Sequence, residues 1–472
     1  MSASPNHPAA VAPPRARWVR RATATATLAL LTASGSAGAQ TPAAAAQPDP
    51  LGVSVRAALQ ENLGLRQARL DADRSAVAVR EAVGLYLPTL ALDTRRSRLD
   101  GTVNLGDFVN PASRALNQLT NSAAFPTDVN ASLPFAQETH LRLQQPIYAP
   151  RVRANHAARR ALRDLQDAAA AGAARRLAAD VQQGYLGYAS AARAAEVQAS
   201  TLALVEEQLR VAERRLAAGT VTPDVVLRAR ADRAEAAQQL AEAGSQRDAA
   251  RRVFNQLRNR PLDAAVALLP DSVFLLPLPT DVETLVAQAL LRREEVQQAG
   301  HGEEAARTQE RLARSAFLPS IAVGVDYGIQ GAEYRVDRRS DFTIVSLVGS
   351  WNLFNGGQDE ARRQQASIDV ERAHTQGREA AQRVELDVRT AYDRARVAQA
   401  ALATADERHT AAERTHALVS RRWEQGLATP LELLDARTAF TRAAENQVLT
   451  RYAYASRWVE LERAAALRDL SR

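Results

Sequence analysis

The stretch Ser320–Ile329 reads SIAVGVDYGI, in which Ile321, Val323, Val325, Tyr327 and Ile329 alternate with Ser320, Ala322, Gly324, Asp326 and Gly328. A period of two sends successive side chains to opposite faces of a strand. The tracts on either side are rich in Ala, Arg, Glu and Gln, which are strong helix formers. A short strand with one large apolar face and one small or polar face, set into so much helix, has to be explained by what each face meets.

Composition narrows the choices. The 472 residues could hold two or three ordinary domains, but an aromatic content of 5% is low for thick globular cores. Alanine supplies much of the apolar share and suits close helix-on-helix packing. All 60 basic residues are Arg, which a genomic base-composition bias explains, and the formal charge is +7. Residues 1–39 read as a signal peptide: Arg15, Arg17, Arg20 and Arg21 precede an apolar run from Ala22 to Ala33, and Ala37-Gly38-Ala39 gives a small-x-small cleavage pattern. That run is too short to span a bilayer. Without those residues 56 Arg face 53 acids, a net of +3, so no nucleic-acid partner is implied. Residues 40–50 read as a disordered N-terminal segment. The sequence has no Cys, so disulfides, a lipidated N-terminal Cys, a thiolate nucleophile and CxxC metal sites are all absent from the reading. The seven His include no HExxH, and no Gly-rich phosphate loop is present. The expectation is a protein that is not an enzyme, with no catalytic residues, metal or cofactor.

The chain is duplicated. Arg214-Arg215-Leu216-Ala217-Ala218-Gly219-Thr220-Val221-Thr222-Pro223 recurs as Arg421-Arg422-Trp423-Glu424-Gln425-Gly426-Leu427-Ala428-Thr429-Pro430, an offset of 207. Upstream, Ala58-Leu59, Leu65 and Leu87-Pro88 fall on Ala289-Leu290, Val296 and Leu318-Pro319 at an offset of 231, so the first copy holds about 25 extra residues in a loop, Leu99 to Gln137. The first repeat spans 51–258, with strands near 87–96 and 139–148 and a hairpin tip at 219–223. A Pro-rich connector covers 259–280. The second repeat spans 281–467, with strands near 319–329 and 342–351 and a tip at 426–430, and 468–472 form a C-terminal tail. The strand near 342–351 has apolar residues on both faces.

Two Pro-free helices are expected, roughly Val152 to Ala217 and Gly357 to Gln425, each about 100 Å long at 1.5 Å per residue. Apolar residues seven apart (Val181, Tyr188, Ala195, Leu202, Leu209, Leu216, and Val384, Ala391, Ala398, Ala405, Ala412, Val419), with Tyr185, Ala192 and Ala199 as a second row, suggest coiled-coil packing. His409 and His416 stand in another such row, ordinary packed or solvated side chains unless the seam senses pH. Gly219 and Gly426 can take the left-handed conformation that stops a helix. Thr222-Pro223 and Thr429-Pro430 then read as N-cap and first helical residue, making each site a hairpin tip.

Four strands of about ten residues are long enough to cross a bilayer at a tilt, with Ile321, Val323, Val325, Tyr327 and Ile329 toward lipid and the small row toward a wet lumen. A soluble sheet packed on helices shows the same alternation. In lipid, four open strands leave unsatisfied edges, so a membrane-embedded protomer has to oligomerise.

The duplicated order of helix, strand pair and long helical hairpin resembles the TolC-type outer-membrane efflux proteins over about residues 51–465. The closest signatures are Gln145-Pro146-Ile147-Tyr148, Leu318-Pro319, Trp351-Asn352-Leu353-Phe354-Asn355-Gly356-Gly357, and Gly426-Leu427-Ala428-Thr429-Pro430-Leu431-Glu432-Leu433-Leu434-Asp435-Ala436. The resemblance implies a mainly α fold with a small β part: duplicated α-helical hairpins forming a trimeric α-barrel, and four strands per protomer closing a twelve-stranded transmembrane β-barrel. It implies a homotrimer in outer-membrane lipid with a long periplasmic portion. The tips Gly219, Thr222, Pro223, Gly426, Thr429 and Pro430 would meet a periplasmic adaptor (a membrane fusion protein) that links it to an inner-membrane transporter. The function implied is the exit duct of a tripartite efflux pump or type I secretion system. Glu432 and Asp435 match acidic positions lining the constriction at the periplasmic end, and would form two acidic rings in a trimer. The same acids in the first turns of a helix also stabilise its dipole, worth about 0.3–1 kcal/mol. The first copy departs, with Val225 and Arg228 at the equivalent places, and Ala428 stands where some members have a basic residue. The other architecture weighed is a periplasmic adaptor or coiled-coil scaffold without a barrel.

Overall fold

The computed structural model of the chain describes residues 51–97, 103–130, 132–133, 137–331, 334, 336 and 340–470. The signal-peptide and disordered N-terminal readings, and positions 471–472 of the tail, lie outside them. The first repeat runs α1 (Gly52–Glu61), α2 (Leu63–Gly84), β1 (Thr89–Arg96), β2 (Val103–Asn104), α3 (Gly106–Thr120), β3 (Ser132–Leu133), β4 (Gln137–Tyr148), α4 (Pro150–Ala217) and α5 (Pro223–Leu257). The second runs α6 (Val282–Arg292), α7 (Glu294–Arg314), β5 (Ser320–Gly331), β6 (Asp341–Ser350), α8 (Gln358–Glu424) and α9 (Pro430–Ala464).

The duplication is visible in backbone angles. Asn62 breaks α1 from α2 at φ −66°, ψ 127°, and Arg293 breaks α6 from α7 at φ −66°, ψ 128°. Their side chains then do different work. Asn62 accepts from the Leu65 N–H at 3.0 Å and donates to the Leu257 carbonyl at 2.8 Å, tying the start of α2 to the end of α5. Arg293 is buried and donates to the Ala464 carbonyl at 2.9 Å, closing the end of α9 over the second repeat.

Rows of buried Ala, interrupted by Val and Tyr, run along the long helices. Val384, Val388, Ala391, Ala395 and Ala405 are buried along α8, and Val181, Tyr185, Tyr188, Ala192 and Ala195 along α4. Beyond Ala195 the packed face of α4 changes: Ala199 is exposed, while Gln198 and Thr201 are buried. The connector is strapped down by phenols. The Tyr185 hydroxyl accepts from the Leu269 N–H at 2.8 Å, Tyr188 donates to the Val266 carbonyl at 3.0 Å, and Tyr454 donates to the Leu276 carbonyl. Tyr452 and Arg193 both reach Asp271, at 2.9 and 3.1 Å. Burial, reinforced by that carboxylate, pushes the Tyr452 phenol above its ordinary range.

The 99–137 segment, expected as loop, holds the 15-residue helix α3 and the short β2–β3 pairing. Asn110 and Asn117, seven apart and so on one face of α3, grip the returning chain. Each amide donates to a main-chain carbonyl and accepts from the same residue's N–H: Asn110 with Val129 at 2.8 Å both ways, Asn117 with Phe125 at 2.7 and 2.9 Å. The segment reads as loop in sequence because those partners, 19 and 8 residues away, are invisible there.

The sheet runs β1-β4-β5-β6, antiparallel throughout. Gly328 is needed in β5: a Cβ there would lie 2.1 Å from the Thr139 carbonyl oxygen and 2.4 Å from the His140 Cβ. Gly328→Ala is therefore expected to cost about 1–3 kcal/mol, lowering the melting temperature of the sheet. An unchanged melt of the heat-modifiable species on gels would remove that constraint.

Candidate functional site

The two faces of the sheet differ in kind. Strand register places Leu90, Leu143, Val325 and Val345 in one cross-strand row and Leu92, Leu141, Tyr327 and Thr343 in the next, with Val323 beside Leu347. Those on the outer strands are bare in a single chain, with Leu90 68% exposed, Leu92 67%, Val345 71% and Leu347 73%, while Val323 and Val325 on β5 are half-buried. The opposite face holds the rows Thr89, Gln144, Gly324, Ser346 and Asp93, His140, Gly328, Phe342, and between them Ala91, Arg142, Asp326 and Ile344. Arg142 there bridges Asp326 at 2.9 Å and Asp93 at 3.3 Å, and its guanidinium lies 2.8 Å from His140 Nε2. Val325 thus joins a row that is apolar on all four strands and Tyr327 one that is apolar on three, while Val323 lies between Gln145 and Leu347 and Ile329 falls in the polar row of Thr94, Thr139 and Asp341 at the far end of the same face. In β6 that separation is incomplete, since Ile344 and Val348 fall on the polar side.

At the other end of the long helices, both tips use one turn. Gly219 (φ +69°) donates to the Leu216 carbonyl and Thr220 to Arg215, both at 2.9 Å. Gly426 (φ +77°) donates to Trp423 at 3.0 Å and Leu427 to Arg422 at 2.7 Å. This paired pattern ends a helix with a left-handed residue, which glycine adopts without strain. The restarts differ. Thr429 and Glu432 form a reciprocal capping box, in which Glu432 accepts from the Thr429 N–H at 2.6 Å and hydroxyl at 3.0 Å. Those two bonds hold the Glu432 carboxyl below its ordinary range. Thr222 occupies the N-cap position but its side chain makes no cap bond, a correction to the sequence reading. Its reciprocal partner would be Val225, which has no carboxylate to return the bond. Asp435 is exposed one turn beyond Glu432.

Two arginines not singled out in the sequence join the hairpins near these tips. Arg437 of α9, whose side chain is 11% exposed, donates to Gln208 of α4 at 2.9 Å and to Asp232 of α5 at 3.0 Å. Arg215 lies over the Trp423 ring, 4.4 Å from its centroid, and donates to the Trp423 carbonyl at 3.1 Å. Further up the α4–α9 seam the pairs stay polar: Thr201 with Thr441 at 3.2 Å, Gln198 with Glu445, and Gln182 with Glu462 at 2.7 Å. The available sequence signal was the repeat itself. Arg437 matches Arg230, which instead donates to Glu213 of its own hairpin at 3.1 Å. His409 and His416 pack beside Phe440, with centroids at 5.6 and 5.4 Å, and burial, then Arg437, pushes His416 below its ordinary range.

Among the described residues no cluster of three or more His, Asp or Glu is placed to hold a metal ion, and no helix is long and apolar enough to cross a membrane. Residues 285–467, from α6 to just past α9, match the family model described as outer membrane efflux protein. The alkaline protease secretion protein AprF of Pseudomonas aeruginosa is 28% identical over 256 residues, and the chain spans about half (53%) of the length of that curated relative. The Campylobacter jejuni CmeC outer membrane channel superposes with a TM-score of 0.73 at 16% identity, covering 88% of this chain and 85% of its own. The open state of the Neisseria gonorrhoeae MtrE outer membrane channel gives 0.70 at 20%, covering 88% of each. The fold, mainly helical with duplicated long hairpins and a small four-stranded sheet, is that of these channels. The described residues form two long helical hairpins, α4–α5 and α8–α9, where an adaptor is expected to show a single hairpin between β-rich halves.

Proposed function

We propose that three copies of this chain form the outer-membrane exit duct of a tripartite efflux pump or type I secretion system, passively conducting substrate through periplasm and outer membrane without catalysing a reaction. The observation behind this reading is the sheet. One face is apolar across its central rows, the other carries the charged cluster of Asp93, Arg142 and Asp326, and the free edges β1 and β6 run in opposite directions. β6 of one copy set beside β1 of the next continues the antiparallel order, so three copies close twelve strands without an open edge. The AprF likeness speaks for secretion. Membrane fractionation tests the proposal: the chain should require detergent for extraction and have three times the protomer mass, and a soluble monomer would defeat it.

The hairpin tips Gly219–Pro223 and Gly426–Pro430 face a periplasmic adaptor, and Glu432 with Asp435 supply acidic rings at the closed end. Glu432 is already engaged in its own helix cap, so Asp435 supplies the freer charge. Glu432→Gln with Asp435→Asn should leave the trimer intact while weakening cation preference and multivalent-cation block in planar bilayers. Parental selectivity in that variant would reduce both acids to helix-start charges. The pH dependence has a definite sign. Because its folded-state pKa lies below the ordinary value of 4.5, the Glu432 cap is fully present above that value. It is lost as pH falls through the lowered one.

A further inference from the structure

Where the strands meet the helices, a groove of about 750 Å³ opens between the end of β4, the first turns of α4 and the last turn of α7. Its walls include Tyr86, Tyr148, Leu318, Arg153, Arg311 and Arg314, and no carboxylate lines it. Arg311 and Arg314 reach back along α7 to Glu304 at 2.5 Å and Glu310 at 2.6 Å. Arg153 has no ion-pair partner among the described residues.

The start of α4, which supplies Arg153, is more basic than its counterpart in the second repeat. Positions 150–163 of α4 contain five Arg and no acid, whereas α8, its counterpart, starts with Asp359 and Glu360. Glu360 is held down to about 2 by Arg363 and Gln364, as suits an acid at a helix start. In α4 the cations stand where the helix dipole disfavours them, beside a groove without acids.

The groove also adjoins the apolar face of the sheet. Tyr148 pairs in register with Ile321, the first residue of the apolar row of β5. Tyr86 and Tyr148 therefore stand at the border of that band, where amphipathic rings collect at a membrane surface. One wall is cationic, another is apolar, and the apolar wall continues into the strand face.

We propose that this groove binds one anionic phospholipid of the periplasmic leaflet, its phosphate held by Arg153 with Arg311 and Arg314 and its acyl chain lying along Leu318 toward Ile321. The assignment rests on the strands being membrane-embedded, as in the duct reading. Charge complementarity selects the headgroup, and continuity with the apolar row selects a lipid over a free anion.

Native mass spectrometry of the full chain, purified in mild detergent and offered equal phosphatidylglycerol and phosphatidylethanolamine, tests this. Phosphatidylglycerol should be retained roughly tenfold over phosphatidylethanolamine. Combining Arg153→Gln, Arg311→Gln and Arg314→Gln should bring that ratio to about one, and Arg153→Gln alone should lower it about threefold. Arg159→Gln with Arg160→Gln, on α4 but outside the groove, should leave it unchanged. Equal retention of the two lipids by the parent, or an unchanged ratio in the triple variant, overturns the proposal. Complete displacement by millimolar inorganic phosphate overturns it as well, making the ligand a free anion. The same spectrum separates the levels: an intact trimer without lipid preference removes the lipid site alone, whereas a monomer soluble without detergent removes the membrane reading beneath it.

Discussion

Arg437→Ala should destabilise the protomer by about 2–3 kcal/mol and loosen the two hairpins at their tips. The guanidinium is nearly buried and is the one group bonded to both α4 and α5 from α9 among the described contacts. Removing it leaves the Asp232 carboxylate, itself three-quarters covered, without its charge partner. Asp232→Asn should cost less, because an amide can still accept from Arg437. The double replacement Arg437→Leu with Asp232→Leu should recover part of the loss, since neither charge then needs a partner. Denaturant midpoints followed by helical circular dichroism give the energies. Single-channel conductance gives the functional half: freeing the tips should raise the mean conductance and make the closed level shorter-lived. If Arg437→Ala melts and conducts like the parent, the clamp is a surface contact without consequence.

The second large effect concerns the apolar face. Val325→Arg places a charge in the middle of the row Leu90, Leu143, Val325 and Val345, and should cost about 2–4 kcal/mol per protomer at the bilayer midplane. A trimer incurs that cost three times, so assembled protein in the outer-membrane fraction should fall to a small remainder. Ser346→Arg, in the row with Thr89, Gln144 and Gly324, puts the same charge on the opposite face and should assemble normally. Trimer yield on unheated gels compares the two directly. Assembly of Val325→Arg together with failure of Ser346→Arg would mean the faces are reversed.

What could be read from the sequence was local or repeated. The alternation in Ser320–Ile329 needs only neighbours, and the Gly-x-x-Thr-Pro tips announce themselves twice. The difference between the tips was also on the page, because the box that Glu432 closes has Val225 in its place in the first copy. The Arg437 clamp was not legible, since its partners lie 205 and 229 residues away and only the folded hairpins bring them together. The change of packed face along α4 was hidden for a related reason. A strict seven-residue repeat drifts around a straight helix, so Ala199 leaves the seam while Gln198 and Thr201 enter it against α9. The polar seam that results cannot be recognised from apolar spacing at all.

The grip of Asn110 and Asn117 on the returning chain has an evolutionary consequence. Both amides read only main-chain atoms of Val129 and Phe125, so the side chains at those two positions are not what is recognised. Phe108 and Leu119, on the far side of α3, are largely exposed. Shape and chemistry are thereby uncoupled in this segment: two asparagines hold the backbone while the displayed residues can drift, and an epitope grafted at 108, 112, 115 and 119 should be shown without disturbing the scaffold beneath it.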